Sequence, residues 1–211
     1  MNSAAPTAPT AAAPSEAEIN EALIRAGLST DLGFCTFVTE LIRLDEGGFV
    51  NHAKDPGGAT RYGVSLRFAR QVSHAAGESL DIDRDGDIDA DDIKMLPLHL
   101  AVRLYYDRFW LIQGFPALVP YVRRKLANLA VVMGPNMACR ILQRALRACD
   151  GPKLVEDGVI GPRTADALSS IGPLRLMPAI RSEAAGFFRA LAAARPDSAA
   201  FLQGWLNRAY R

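Results

Sequence analysis

The chain has 211 residues, 49% of them hydrophobic, with a formal net charge of +1 and a mean hydropathy of +0.05. That length and balance exclude a disordered or fibrous chain and fit a soluble globular protein of one domain or two intimately packed lobes. No run of about 20 apolar residues offers a membrane span, and Cys35, Cys139 and Cys149 are too few for a disulfide framework and read as buried thiols.

The small net charge hides an asymmetry. Residues 1–80 carry 6 basic against 9 acidic side chains, residues 81–92 carry 1 against 7, and residues 93–211 carry 17 against 7. A basic C-terminal half suits an anionic polymer such as the bacterial cell wall. Few aromatics interleave with the basic residues and no nucleic-acid motif is present, so a nucleic-acid partner is not expected.

Residues 1–14 are Ala/Pro/Thr low complexity and read as a disordered tail. Ser15 and Glu18 form a capping box for a short helix with Ile19, Ala22, Leu23 and Ala26 on its apolar face, and Gly27 stops it. Asp31 is the N-cap of a second helix, in which Phe34, Phe37, Val38 and Leu41 recur at i, i+3, i+4 and i+7. A step of ~100° per residue puts Glu46 beside Ile42, on the rim of the apolar face, before Gly47 and Gly48 stop the helix. A carboxyl so placed is expected to be partly desolvated and to hold its proton towards neutrality. Residues 47–65 are a glycine-rich loop with room for a small hairpin, and a helix is expected around Leu66 to Ala76.

Between Asp81 and Asp92 the sequence DIDRDGDIDADD fits the twelve-residue EF-hand loop. Asp81, Asp83 and Asp85 fall at positions 1, 3 and 5, Gly86 at the sharp turn, Asp87 at 7 through its carbonyl, and Asp92 at 12. Carboxylates this dense repel one another, and Ca²⁺ is the natural counter-charge. Asp92 is one methylene shorter than the usual Glu, so the affinity should be modest. The ion is read as structural, and a lone loop is weak grounds for a calcium sensor.

From there helices are expected at about 98–110, 120–133, 136–149, 162–170, 174–194 and 197–208, with Pro135 and Pro162 as helix-starting prolines. His52, His74 and His99 lack metal-ligand spacing. Trp205 reads as core packing rather than as a sugar platform.

Two blocks, Glu46-Gly47-Gly48-Phe49 and Asp55 to Gly63 (DPGGATRYG), resemble the signature of glycoside hydrolase family 108, the N-acetylmuramidases of phage endolysins and bacterial secretion-activator proteins. The likeness continues through Tyr105-Tyr106, Phe109-Trp110, Gly134-Pro135, the 142–146 segment and the Asp157–Thr164 turn to Phe201–Arg208, and these later pieces resemble that family's predicted peptidoglycan-binding region. The resemblance implies a mostly α, lysozyme-like helical fold with a small loop or hairpin region after the catalytic helix. It also implies a catalytic segment over 15–110 and a helical, peptidoglycan-binding-like region over 111–211, packed as a second lobe of one unit.

The same resemblance makes Glu46 the catalytic acid. Glu46, Asp55 and Thr60 further repeat the Glu, Asp, Thr order of phage-type lysozymes, with the Asp to Thr gap one residue shorter. Cleaving a β-1,4 bond between amino sugars needs a proton on the leaving oxygen and a second carboxylate facing an oxocarbenium-like transition state. Glu46 as acid and Asp55 ionised in the solvated loop meet that need, and Thr60 could share the attacking water. Tyr62, Tyr106 and Trp110 are candidates for stacking on sugar rings. The expected activity is therefore peptidoglycan hydrolysis by an N-acetylmuramidase. The competing readings are a lytic transglycosylase leaving 1,6-anhydro products and a non-catalytic wall-binding protein. The expected partner is the peptidoglycan glycan strand, met by a monomer without stable membrane insertion. No Sec signal is evident, so the chain is expected to be made in the cytoplasm and released by a holin or a dedicated secretion route.

Overall fold

A computed structural model describes residues 12–44, 48–51, 58–75, 77–151 and 153–211. The fold is mostly helical, with small strand pairs after the second helix, and the chain divides into two compact units, Met1–Tyr106 and Asp107–Arg211. No helix among the described residues is long and apolar enough to cross a membrane.

In the first unit, α1 (Glu16–Arg25) starts at the Ser15–Glu18 capping box, and Gly27 leaves it in the left-handed conformation at φ 69°. Helix α2 (Leu32–Leu44) is capped by Asp31, whose Oδ1 accepts from the Phe34 amide at 2.9 Å. Phe34, Phe37, Val38, Leu41 and Ile42 are all buried, so the apolar stripe faces the core. Each such side chain stabilises the fold by about 1.5–3 kcal/mol relative to exposure. An antiparallel hairpin follows, β1 (Thr60–Arg61) with β2 (Val64–Ser65), turning through Tyr62 and Gly63, both at positive φ.

Helix α3 (Leu66–Val72) is shorter than its sequence suggested. Ser73 takes a left-handed conformation at φ 52°, and a second hairpin of β3 (His74–Ala75) with β4 (Glu78–Ser79) takes the place of the helix's last turn. The acidic loop leads into α4 (Ala90–Met95) and α5 (Leu98–Tyr105). Val64, Ala69, Leu80, Ile93, Leu100 and Leu104 form one core cluster beneath these elements. Residues Tyr106–Trp110 then form a π-helix rather than a continuation of the α-helix.

The second unit holds a short 3₁₀ turn (Phe115–Ala117), α6 (Pro120–Met133), α7 (Pro135–Ala148), α8 (Pro162–Ser170), α9 (Pro173–Ala194), a 3₁₀ segment (Pro196–Phe201) and α10 (Leu202–Tyr210). Helix α7 packs on α6 and α9, and α10 packs on α9. Lys125 of α6 is buried, and its ammonium donates to the carbonyls of Arg208 and Ala209 in the last turn of α10, where the helix dipole favours a cation. Trp205 lies between Phe188 and Phe201 in a near-parallel stack, with centroids 5.4 and 6.0 Å away, which is a packing role.

The Asp157–Gly161 turn is held from two sides. Gln143, buried in α7, donates through Nε2 to Asp157 Oδ1 at 2.7 Å and to the Val159 carbonyl, while its Oε1 accepts from the Gly158 amide. Gly114 approaches from the other side, so closely that a Cβ there would stand 2.6 Å from the Ile160 Cβ and 2.7 Å from its carbonyl oxygen. Gly114 also sits at φ +87°, so Gly114→Ala adds backbone strain to overpacking and should destabilise the second unit by about 2–4 kcal/mol. Gly161→Ala meets no atom within 4 Å and should change stability by less than about 1 kcal/mol. Urea unfolding of the two variants checks the contrast.

Candidate functional site

The candidate site gathers around the β1–β2 hairpin. Val50 and Thr60 exchange backbone hydrogen bonds of 2.8 and 2.7 Å, an isolated antiparallel bridge that holds together the two ends of segment 51–59. The Leu66 amide donates to the Ala59 carbonyl at 2.8 Å and extends the anchoring to α3. Glu46 and Asp55 lie outside the described residues, Glu46 two positions beyond the last residue of α2 and Asp55 within the segment that the bridge closes.

Thr60 is half-buried on β1, and its hydroxyl points back to the Gly58 carbonyl at 3.4 Å. A hydroxyl donates once and accepts twice, so its lone pairs are left for a water. Tyr62 stands at the hairpin tip with φ 51°, an uncommon conformation for an aromatic residue that costs on the order of 1 kcal/mol or more. Two contacts hold it: the Arg61 guanidinium 4.9 Å from its ring centroid, and the Tyr105 hydroxyl, which donates to the Tyr62 carbonyl at 2.7 Å. Arg61 also donates to the Lys94 carbonyl, tying the hairpin to α4.

Tyr106 is half-buried and packs edge-on against Phe34, centroids 4.9 Å apart, with Arg103 over its ring. Trp110 differs from the sequence-based reading. It is 2% exposed, with the Arg123 guanidinium 4.0 Å from its centroid and donating to its carbonyl. A ring so covered has no free face for a sugar, and Trp110 is a packing residue. The π-helix that carries both residues is a form often found at functional sites.

The acidic loop is organised by its own amides. Asp81 accepts from the amides of Asp85 and Gly86, Asp83 from that of Asp85, and Asp85 from that of Asp87. Asp92 is 1% exposed and accepts from the amides of Ile82, Asp83 and Asp89, while Asp89 caps α4. Gly86 turns at φ +105°. The carboxylate oxygens of Asp81, Asp83 and Asp85 lie within 4.8 Å of one another, as do those of Asp87, Asp89 and Asp92. Desolvation first, and the neighbouring Asp85 carboxylate as well, raise the Asp83 and Asp87 carboxyls above their ordinary value, while the Asp85 amide works the other way on Asp83. The clusters are separate, and Asp92 falls with Asp87 and Asp89 rather than with Asp81, Asp83 and Asp85 as the EF-hand pattern expects; the all-oxygen Asp81, Asp83 and Asp85 set beside the glycine turn is of the type that suits a hard divalent cation.

Neither Val50 nor Tyr105 carries a signal in the sequence that marks it as a support of the hairpin. Val50 pairs through its backbone alone, and Tyr105 reads as one more apolar position on α5. Removing the hydroxyl in Tyr105→Phe leaves the buried ring and unpartners the Tyr62 carbonyl. It should cost about 1 kcal/mol of stability, read by urea unfolding, and lower turnover on cell wall by more than it weakens substrate binding.

Comparison with known proteins gives a match to the family model "Glycosyl hydrolase 108" over residues 39–134 and to "Predicted Peptidoglycan domain" over residues 137–210. No curated protein compared gives a match. Among solved structures, SagA of Brucella abortus is similar, at 25% identity over 82% of this chain and 89% of that one, with a TM-score of 0.62. The matched segment 39–134 takes in every described element of the hairpin site, and segment 137–210 follows it through the helical second unit. The chain belongs to the glycosyl hydrolase 108 family, and it is a glycoside hydrolase of peptidoglycan with a predicted peptidoglycan domain behind its catalytic segment.

Proposed function

We propose that the protein is an N-acetylmuramidase that hydrolyses the β-1,4 bond between N-acetylmuramic acid and N-acetylglucosamine, with Glu46 as general acid, Asp55 as its ionised partner and Thr60 beside the attacking water. The observation that carries this reading is the Val50–Thr60 bridge. It pairs Thr60 with Val50, which stands four residues after Glu46 in sequence, and it closes the segment that contains Asp55, which supports a shared site for the three residues. Ile42, four residues before Glu46 in sequence, is fully buried, which supports a sheltered approach on that side of α2.

In the proposed reaction Glu46 gives its proton to the leaving glycosidic oxygen as the bond to the anomeric carbon breaks. Water adds to that carbon from the opposite face and passes a proton to Asp55. Thr60 orients that water by accepting from it while donating to Gly58. The product anomer is inverted, which needs a carboxyl separation of roughly 6.5–9.5 Å. Tyr62 and Tyr106 line the path of the sugar chain. The enzyme works as a monomer on glycan strands outside the cytoplasm, after release by a holin or a dedicated secretion route.

Glu46→Gln should lower release of reducing ends from purified wall by about 10²–10⁴-fold without changing the melt. Asp55→Asn should do the same, and Thr60→Val should cost about tenfold, near 1.4 kcal/mol of barrier. Mass spectrometry of the released muropeptides identifies the bond. Activity retained in Asp55→Asn together with 1,6-anhydro products would mark a lytic transglycosylase instead.

Calcium is the proposed structural ion, held by Asp81, Asp83, Asp85, the Asp87 carbonyl and Asp92. It would neutralise the loop and tie α3 to α4, and the Arg70 side chain of α3 already donates to the Ile88 carbonyl of the loop at 2.6 Å. Chelation with EDTA should lower the melting temperature by several degrees and added calcium should restore it. An unchanged melt counts against the ion.

A further inference from the structure

Helix α1 lies outside the matched segment 39–134, yet it walls a cavity of about 360 Å³ together with the hairpin tip and the start of α5. Glu18, Glu21 and Arg25 of α1 line it on one side, Tyr62, Pro97, Leu98 and His99 on the other, and Ala12–Pro14 close one end. Glu18 is engaged by Ser15 in the capping box. The side chains of Glu21, Arg25 and His99 make no hydrogen bond or ion pair with any described residue. Glu21 and Arg25, one helical turn apart, are not within 4.0 Å of each other even though that spacing commonly pairs such charges. An unpaired carboxylate and an unpaired guanidinium on one wall present opposite charges to the same space. Burial first, and Arg25 second, hold the His99 imidazole below its ordinary titration range, so at neutral pH it adds a neutral hydrogen-bonding group.

We propose that this cavity binds the short peptide carried by the peptidoglycan strand, with Arg25 taking a peptide carboxylate and Glu21 a peptide amine. The assignment rests on the proposed function, because Tyr62 sits both in the cavity wall and two residues from Thr60. Within intact wall the lactyl carboxyl is tied up as an amide, so the sugars themselves are neutral and would leave Glu21 and Arg25 with no charge to meet. A zwitterionic peptide matches both at once, and a guanidinium on a carboxylate is among the stronger contacts open to it. The site would make the enzyme prefer peptide-bearing wall over bare glycan.

The test uses the full chain and two substrates, intact sacculi and glycan strands stripped of peptide by an amidase, together with the free peptides that the amidase releases. In the native protein KM should be lower on intact sacculi, and the free peptides should bind by ligand-observed NMR. Arg25→Gln and Glu21→Gln, both on the exposed face of α1, should each raise KM on intact sacculi by about tenfold, one charged contact's worth. Each should also erase the difference between the substrates and abolish peptide binding. An equal rise of KM on both substrates would overturn the proposal in favour of a sugar subsite. Peptide binding unchanged in both variants would overturn it as well. A native protein that releases no reducing ends but binds the peptides would sink the muramidase reading and leave this site standing.

Discussion

The candidate site depends on a single pair of backbone hydrogen bonds between Val50 and Thr60. Two residues of ladder are far too little for an independent sheet. The bridge persists because its surroundings hold it: Ala59 and Val64 are buried in the core, the Ala59 carbonyl accepts from Leu66, and the Tyr105 hydroxyl fixes the turn at Tyr62. The residues on either side of segment 52–57 are therefore held in place, Val50 and Asn51 on one side and Gly58 to Thr60 on the other.

Much of the fold was legible because helix signals are local. The Ser15 capping box, the Asp31 cap, the Phe34 to Leu41 stripe and the starting prolines Pro135 and Pro162 each state their element within a few residues, and each is found where it was read. What escaped the sequence has no such signature. The second hairpin has strands of two residues, too short for any periodicity, and it is set by the left-handed turn at Ser73. The π-helix at Tyr106–Trp110 keeps an ordinary helical composition. Trp110 was read from its residue type as a sugar contact, and only the packing of Arg123 across its ring reveals otherwise.

The candidate site is drawn from the sequence as chemistry more than as geometry. Glu46 and Asp55 are proposed from the company they keep in sequence, and Thr60 from its order after them. The sequence could not say that the Thr60 hydroxyl turns to Gly58, nor that a helix outside the family-matched segment adds a charged wall next to Tyr62. Both depend on contacts between residues with no shared periodicity. The Asp157–Gly161 turn shows the same limit. Its resemblance to a peptidoglycan-binding region does not reveal that the Asp157 side chain and the Gly158 and Val159 amides are committed to Gln143 and to the turn itself.

Lys125 has a consequence for how the second unit is made. Its ammonium, placed in α6, finds its carbonyl acceptors some 83 residues later, in the closing turn of α10. Until that helix arrives, the cation must either stay hydrated and keep α6 from seating, or be desolvated without compensation at a cost of several kcal/mol. Assembly of this unit is therefore biased towards an all-or-none event that waits for α10, since a contact so distant along the chain cannot form early. A ribosome-bound fragment ending short of α10 would remain open and vulnerable to proteases, and the unit would gain its resistance only when α10 locks onto Lys125.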